Sequence, residues 1–534
     1  MLSVKSFLKK VIAYHESKGG RMGHWHIDRE RVRLHTLQQE FTHEGSLLSA
    51  NHLLARTAEL VPHKIALISP SRETITYSEL AHTARRISAY IDSYNIQPGD
   101  RVAMLVDNSP FFYSTYYGIW QTGATVIPLS TFLHEAELRD IIAEAQPRLI
   151  IVSQELVNKI SPTDMKCPII AENDLMAAIQ GTMDRHFTIK QLAPHDPAVI
   201  LYTSGTTGRP KGVVLSSHGI MTSTIQGLSR FDFIENELVL CPLPLFHSFT
   251  QSTCIWGSIA AGITIIILPK IMKGALIKSI SLNPTIILGI PNFFGLLCRI
   301  SPLSLAATRY CISGGDALTD AIRRIFALRF GKKICDGYGL TEAGPVIALD
   351  LEDTIAETNA VGRPLLGIQC DIRNQDKGIG TLWVRGENLM VGYYQAPEAT
   401  EKIMHRGWLN TGDLATFTKD GKLVICGREK DLIIHKGLKI YPQEVENTLM
   451  NAPHVMLAAV VGAPDAEGAY PVAFVQPFEG QIVESNELIS YCKQRLAAYK
   501  VPRTIIIVKT MPMTATGKIN KKALVPLIPS PEKQ

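Results

Sequence analysis

The sequence predicts an α/β protein: a large N-terminal domain of α/β sheet subdomains plus a small β unit, followed by a small α+β C-terminal domain. Three observations carry this. Of the 534 residues, 46% are apolar and 19% charged, which suffices to bury a sizeable core and excludes global disorder. Helical and strand patterns alternate over two long stretches, from about Ser46 and again over Leu238–Tyr338, as they do where helices cover a mainly parallel sheet. After Val361 the pattern changes to short strands and turns, and from about Arg428 to a compact mixture of both. The expected divisions are 1–45, a polar, basic, His-rich appendage; 46–427, the large domain; and 428–534, the small one.

In chain order, Leu47–Leu60 reads as a helix, Lys64–Ser69 as a strand and Tyr77–Tyr94 as a long amphipathic helix. The turn Gln97-Pro-Gly-Asp100 introduces the strand Arg101–Val106. Helix Phe111–Thr122, strand Ala124–Pro128, helix Glu135–Ala145 and strand Leu149–Val152 follow. Leu238–Pro269 lacks Asp, Glu, Lys and Arg, but Pro242, Pro244, His247 and Gln251 interrupt it, and its cleanest run, Ile255–Leu268, is 14 residues. A spanning helix needs about 20, so this stretch is expected to be a buried helix followed by a buried strand, Ile263–Leu268. The β unit shows in Gly378–Arg385 and Lys422–Cys426.

A net charge of +5 over this length argues for no nucleic-acid partner. The nine cysteines contain no CxxC pair and are odd in number, which points to reduced thiols in the cytoplasm, without zinc or a disulfide framework. At the N-terminus, Phe7, Leu8, Val11 and Ile12 recur at helical spacing among Lys5, Lys9 and Lys10. Three readings stay open: a helix docked on the protein's own surface, a peripheral membrane contact, or an acid-poor transit peptide. His24 and His26 flank Trp25 but lack a third ligand at useful spacing.

The segment with most chemistry is Tyr202-Thr-Ser-Gly-Thr-Thr-Gly-Arg-Pro-Lys-Gly212, between buried strands at Ala198–Leu201 and Val213–Ser216. Two glycines and four hydroxyls in so short a loop can turn N–H and O–H donors inward around phosphate oxygens, with Lys211 adding positive charge. A Ser/Thr-rich hairpin loop is the bland alternative. The Walker pattern is absent, since no Gly-Lys-Ser/Thr occurs here and a strand follows.

The string resembles the phosphate-binding loop of the adenylate-forming superfamily of acyl-CoA synthetases, luciferases and peptide-synthetase adenylation domains, and the whole is most similar to fatty-acid–CoA ligases. Further motifs follow in the family's order: Ser313-Gly-Gly-Asp-Ala-Leu318, Asp336-Gly-Tyr-Gly-Leu-Thr-Glu-Ala-Gly-Pro345, Val361-Gly-Arg-Pro364, Trp408-Leu-Asn-Thr-Gly-Asp413, Gly427-Arg-Glu-Lys-Asp431, Gly437–Glu446 and Pro512–Lys518. The resemblance runs from about residue 46 to 525. It implies ATP, Mg²⁺ and coenzyme A as cofactors. A carboxylate attacks the α-phosphorus of ATP and releases pyrophosphate, and the CoA thiol then takes the acyl group.

By resemblance, Thr203, Ser204, Gly205, Thr206, Thr207, Gly208 and Lys211 cradle phosphates, and Gly314, Gly315, Asp316, Asp336 and Gly339 form the adenine-side turns. Tyr338 stacks on adenine, Thr341 meets the α-phosphate and Glu342 holds Mg²⁺. Asp413 accepts from the ribose hydroxyls, helped by Arg428. Lys518 screens the two anions of the first step. One lysine cannot serve both steps unless the small domain moves, so that domain is expected to be mobile, with Lys430 at the hinge. Gly437 and Lys439 would line the pantetheine tunnel in the second pose, where His435 and Lys436 either meet CoA phosphates or form a solvated basic loop.

The family's acyl pocket falls on His247, Trp256, Ile290 and Ser313, with Phe249, Pro291, Phe293 and Phe294 as further apolar candidates; generic core packing explains each apolar residue nearly as well. From Leu238 to Ile312 there is no Asp or Glu, and a buried ammonium without a counter-charge is costly, so amino-acid substrates are excluded. The basic N-terminus tilts the expectation towards a medium- or long-chain fatty acid gathered at a membrane. Two alternatives are an acyl-AMP ligase that loads a carrier protein and a nucleotide- or acyl-binding scaffold without catalysis. Against the first, only 16 residues follow Lys518. Against the second, Lys211, Glu342, Asp413, Arg428 and Lys518 are all present. Thr381 after Gly380 and Asp316 in the Ser313 turn depart from many relatives, which bears on the substrate subclass.

Overall fold

A computed structural model describes residues 25–529, apart from 44, 70, 161–165, 182–186, 204–209, 235, 353–359, 466 and 515–518. It has the expected mixed α/β architecture. A seven-stranded sheet runs, in spatial order, through Gly392–Tyr393, Lys211–Ser216, Pro197–Thr203, Thr125–Pro128, Arg101–Leu105, Leu149–Val152 and Ile169–Ala171. Its strands from residue 101 to 171 are mutually parallel, and the Lys211 strand pairs antiparallel with both its neighbours. A second, 14-stranded sheet has a parallel centre of Ile334–Gly339, Tyr310–Ser313, Ile286–Gly289, Leu238–Cys241, Thr264–Ile267 and Ile65–Ile68. The short strands of the expected β unit are hydrogen-bonded onto the end of this sheet. Val346–Leu349 and Ala360–Pro364 make the join, in antiparallel register.

Helix Pro110–Gln121 is buried on every side from Phe111 onward, within the core that the two sheets share. Ser109 caps it and Pro sits in its first turn. Helix Tyr77–Asp92 begins in a Thr76/Glu79 capping box and buries Leu80, Ala84, Ile87 and Ile91 along one stripe. The helix expected from Leu47 begins at Leu53, after a 3₁₀ turn at Ala50–His52. Tertiary contacts hold that turn: Ala50 N–H donates to Ser217 Oγ (2.9 Å), and the Asn51 amide donates to the Lys190 carbonyl (2.8 Å). The charge-free stretch is the expected buried helix, Ser248–Ala260 with a π-helical middle, followed by strand Thr264–Ile267. Among the described residues no helix is long and apolar enough to cross a membrane.

The N-terminal segment corrects the appendage reading where it is described. Helix Trp25–Glu40 lies on the large domain, with Leu37 and nearby Phe41 buried in its core. Glu30 pairs with Arg230 at 2.7 Å, and Arg33 pairs with Asp232 and donates to the Ser229 carbonyl. Charged residues that bury as pairs look, in sequence, like a solvated arm. The Phe7–Ile12 pattern and His24 lie outside the described residues, as do the side chains of Trp25 and His26.

The C-terminal part forms its own five-stranded sheet, with Leu438–Ile440, Ile433–His435, Gly468–Pro477 and Val455–Asp465 in order and Thr504–Ile507 parallel to Gly468–Pro477. Two small cores of its own lie beside it.

Candidate active site

In α/β sheets, ligands bind beyond the carboxyl ends of the parallel strands. Here Gly289, Ser313 and Gly339 end neighbouring strands. At the Gly339 end a Cβ would stand 1.8 Å from the Pro345 carbonyl oxygen, so only glycine lets Tyr338 and Thr341 lie on either side of this bend. The Tyr338 hydroxyl donates to Asp413 Oδ2 at 2.6 Å, and Arg428 Nε lies 3.0 Å from Asp413 Oδ1. Asp413 and Arg428 are register partners on adjacent strands. Burial, reinforced by the Asp413 carboxylate, pushes the Tyr338 phenol well above its ordinary range, so it stays a donor.

The next residues turn into a 3₁₀ segment, Thr341–Ala343. Thr341 Oγ1 donates to Ser248 Oγ at 2.9 Å, and Glu342 Oε1 accepts from the Tyr393 hydroxyl at 2.8 Å. Lys211 Nζ lies 4.9 Å from the centre of the Tyr393 ring. Lys211 opposes Thr203 in the hairpin that carries the loop; Ser204, Gly205, Thr206, Thr207 and Gly208 lie outside the described residues. Tyr338, Thr341, Glu342, Asp413, Arg428 and Lys211 are thus linked by contacts between elements far apart in sequence. Tyr393 and Ser248, which hold Glu342 and Thr341, escape a sequence reading because nothing local marks them.

One carboxylate beside one hydroxyl is a hard-oxygen set that suits Mg²⁺ carried on a nucleotide. Mg²⁺ takes one or two carboxylates plus substrate phosphates rather than a protein cage. Among the described residues no cluster of three or more His, Cys, Asp or Glu could hold a metal by itself.

Other expected residues are placed differently. Asp336 does not face the nucleotide side as a free carboxylate: it is buried against Arg323 Nη2 at 2.8 Å. Burial pushes its carboxyl up to about 7, against the pull of the Arg323 guanidinium. Trp256 is enclosed in the core, donating from Nε1 to the Tyr116 hydroxyl at 3.0 Å, so it lines no open wall. Ser313 is also buried, its hydroxyl without a hydrogen-bond partner among the described residues. Asp316 is exposed beside Gly315, whose φ is +84°, and its carboxylate accepts from Ala317 N–H. His247 caps the Ser248 helix through Nδ1, which accepts from Phe249 N–H at 3.3 Å. The Phe249 ring rests against Gly314, where a Cβ would meet it at 3.4 Å, and Ile290 stands beside Gly315.

On the C-terminal side, Lys430 is exposed in a 3₁₀ turn, Glu429–Asp431. Gly437 is an exposed turn residue at φ +78°. Lys439 pairs with Asp376 of the β unit at 3.3 Å and Lys436 with Glu467 at 2.9 Å. His435 is buried, with Arg503 Nη2 3.0 Å from its Nε2, and so is enclosed rather than offered to a ligand. Lys518 lies outside the described residues. Its flanks are joined by a Met513–Ile519 bridge and tied down by Lys521, 2.6 Å from Glu446. Partial desolvation lowers the pKa of the Lys430 ammonium, against the pull of the Asp431 carboxylate.

The family model described as "AMP-binding enzyme" matches residues 54–394, and the "AMP-binding enzyme C-terminal domain" matches 444–518. The chain belongs to the AMP-binding enzymes. This AMP-binding enzyme is 30% identical to a feruloyl-CoA synthase of an Amycolatopsis species, over 87% of this chain and 96% of the relative. It is 29% identical to the long-chain-fatty-acid–CoA ligase FadD13 of Mycobacterium tuberculosis, over 88% and 97%. Among solved structures it resembles o-succinylbenzoate coenzyme A synthetase (MenE) from Bacillus subtilis in complex with ATP and magnesium ion. The TM-score is 0.80 and the identity 26%, covering 88% of this chain and 98% of that one.

Proposed function

We propose that this AMP-binding enzyme is an ATP-dependent acid–CoA ligase whose acid is a medium- or long-chain fatty acid. The observation that carries the adenylating half is the linked set Tyr338–Asp413–Arg428 and Glu342–Tyr393–Lys211 at the strand ends. In this reading the set supplies a ribose acceptor in Asp413, a carboxylate for the metal in Glu342 and a cation for the phosphates in Lys211, each held by the contacts described. Two anions must meet in the first step, so such cationic and metal screening dominates its barrier. In this reading Thr341 and Lys211 contact phosphates, Glu342 holds Mg²⁺, and Lys518 closes the site from the C-terminal domain. That domain then swings about Lys430, so that Gly437 and Lys439 face CoA. The coarser activity, AMP-forming acid–CoA ligation, is what relatives of differing acid specificity share. Fatty-acid specificity rests on the carboxylate-free stretch from Leu238 to Ile312 and its apolar side chains. Cytoplasmic residence with peripheral membrane contact through the basic N-terminus belongs to the same proposal.

A planar aromatic acid is the second reading, favoured by the 30% identity to a feruloyl-CoA synthase. One experiment separates them: pyrophosphate release with Mg·ATP across acids from acetate to oleate plus aromatic acids, with and without CoA. CoA-stimulated release peaking on medium or long chains supports the first reading, and peaking on aromatic acids the second. Release that stalls after one equivalent with CoA present indicates a carrier-protein acceptor, and silence with every acid indicates a scaffold.

A further inference from the structure

Tyr393 joins two residues that the proposed reaction needs but that have no direct contact. Its hydroxyl donates to Glu342 Oε1 at 2.8 Å, and its ring faces the Lys211 ammonium at 4.9 Å. Its own position is fixed from several sides. Tyr393 N–H donates to Thr400 Oγ1 at 2.9 Å, and the short strand Gly392–Tyr393 sets Tyr393 opposite Val213. The backbone around it is stitched to both partners' elements. Met390 N–H donates to the Glu342 carbonyl at 2.9 Å, Val391 N–H to the Val214 carbonyl at 2.9 Å and Tyr394 N–H to the Gly212 carbonyl at 2.7 Å.

We propose that Tyr393 is a positioning residue for Mg·ATP, holding the Glu342 carboxylate and the Lys211 ammonium in register while keeping them apart. The hydroxyl occupies one carboxylate oxygen and fixes its rotamer, leaving the other free for a metal. Partners of this kind orient a ligating carboxylate. The negative face of the ring attracts the ammonium and aims it. Without the ring between them, carboxylate and ammonium can close into an ion pair that spends both charges on each other.

The inference rests on the reading above, in which Glu342 and Lys211 serve ATP. Calorimetric titration of the full chain with ATP, once with Mg²⁺ and once with EDTA, tests it without relying on turnover. Tyr393→Phe keeps the ring and removes the donor. It should weaken Mg·ATP binding about 10–100-fold while leaving metal-free ATP binding at the wild-type value. Tyr393→Leu removes both and should weaken metal-free ATP as well. Wild-type Mg·ATP binding by Tyr393→Phe would overturn the proposal, as would an equal loss with and without metal, which marks a packing role. Glu342→Gln in the same titration separates the two layers. If it loses the Mg²⁺ effect and Tyr393→Phe does not, only the Tyr393 role fails; if it too keeps the Mg²⁺ effect, the Glu342 assignment falls and the Tyr393 role with it.

Discussion

The proposed nucleotide side and the proposed acyl side of this molecule are built by different physics. On the nucleotide side, short polar links join distant chain segments: Tyr338 to Asp413 across 75 residues, Thr341 to Ser248 across 93, Glu342 to Tyr393 across 51. Each tolerates only a few tenths of an ångström and a particular donor or acceptor. Where the acyl pocket is proposed, Phe249 rests on Gly314 and Ile290 stands by Gly315, both by apolar contact. Many side-chain combinations fill an apolar space equally well. Chemistry common to a family therefore leaves recognisable residues, while the choice of acid leaves a shape.

The sharpest break in this contrast comes from Lys518. Lys518→Ala should cost about 10²–10³ in pyrophosphate release, as removal of a charge-stabilising donor generally does, and leave thioester formation from supplied acyl-AMP nearly unchanged. Equal loss in both steps would separate this lysine from the nucleotide side. Next in size, Asp413→Ala removes the shared partner of Tyr338 and Arg428. Hydrogen bonds to charged groups contribute about 1.5–3 kcal/mol, so the KM for ATP should rise some ten- to hundredfold while the order of preference among acids stays fixed. A changed order would mean that the two sides are coupled.

Asp336 tests where the nucleotide side ends. Its carboxyl, raised to about 7 by burial against the pull of Arg323, keeps a proton that the unfolded chain releases near pH 4. More protons bound when folded means stability that is full below about pH 4 and is lost as pH rises through about 7. Asp336→Asn should remove that part of the slope in thermal midpoint against pH, with little effect on the KM for ATP. An unchanged slope would show that Arg323 keeps the group ionised; a raised KM would return Asp336 to the site.

These placements show how far sequence reaches. The alternating fold, the hairpin around the 203–211 loop and the Tyr338, Thr341, Glu342, Asp413 and Arg428 constellation were legible because motif order and strand pattern are local properties. Tyr393 and Ser248 were not, since their roles exist only once segments 51 and 93 residues from their partners are brought alongside. Asp336 was misread for the same reason: its neighbour Arg323 sits on a helix, and only the fold shows that they pair. Helix Trp25–Glu40 hid behind its own charges, because the buried Glu30 and Arg33 find their partners about 200 residues away.

Phe249 gives the smallest effect and the most direct view of the acyl side. Its ring lies where a Cβ on Gly314 would touch it at 3.4 Å, so Phe249→Ala opens space beside the adenine-side turn without touching a polar link. If that space continues the acyl slot, each further methylene a substrate buries there gains about 0.8 kcal/mol, close to fourfold in kcat/KM per carbon. The variant should therefore shift preference towards longer or bulkier acids, step by step along a homologous series, with the KM for ATP unmoved. A uniform fall across the series would make Phe249 a packing residue. The wall that chooses the acid would then lie with Ile290 and the helix it precedes, Pro291–Leu297.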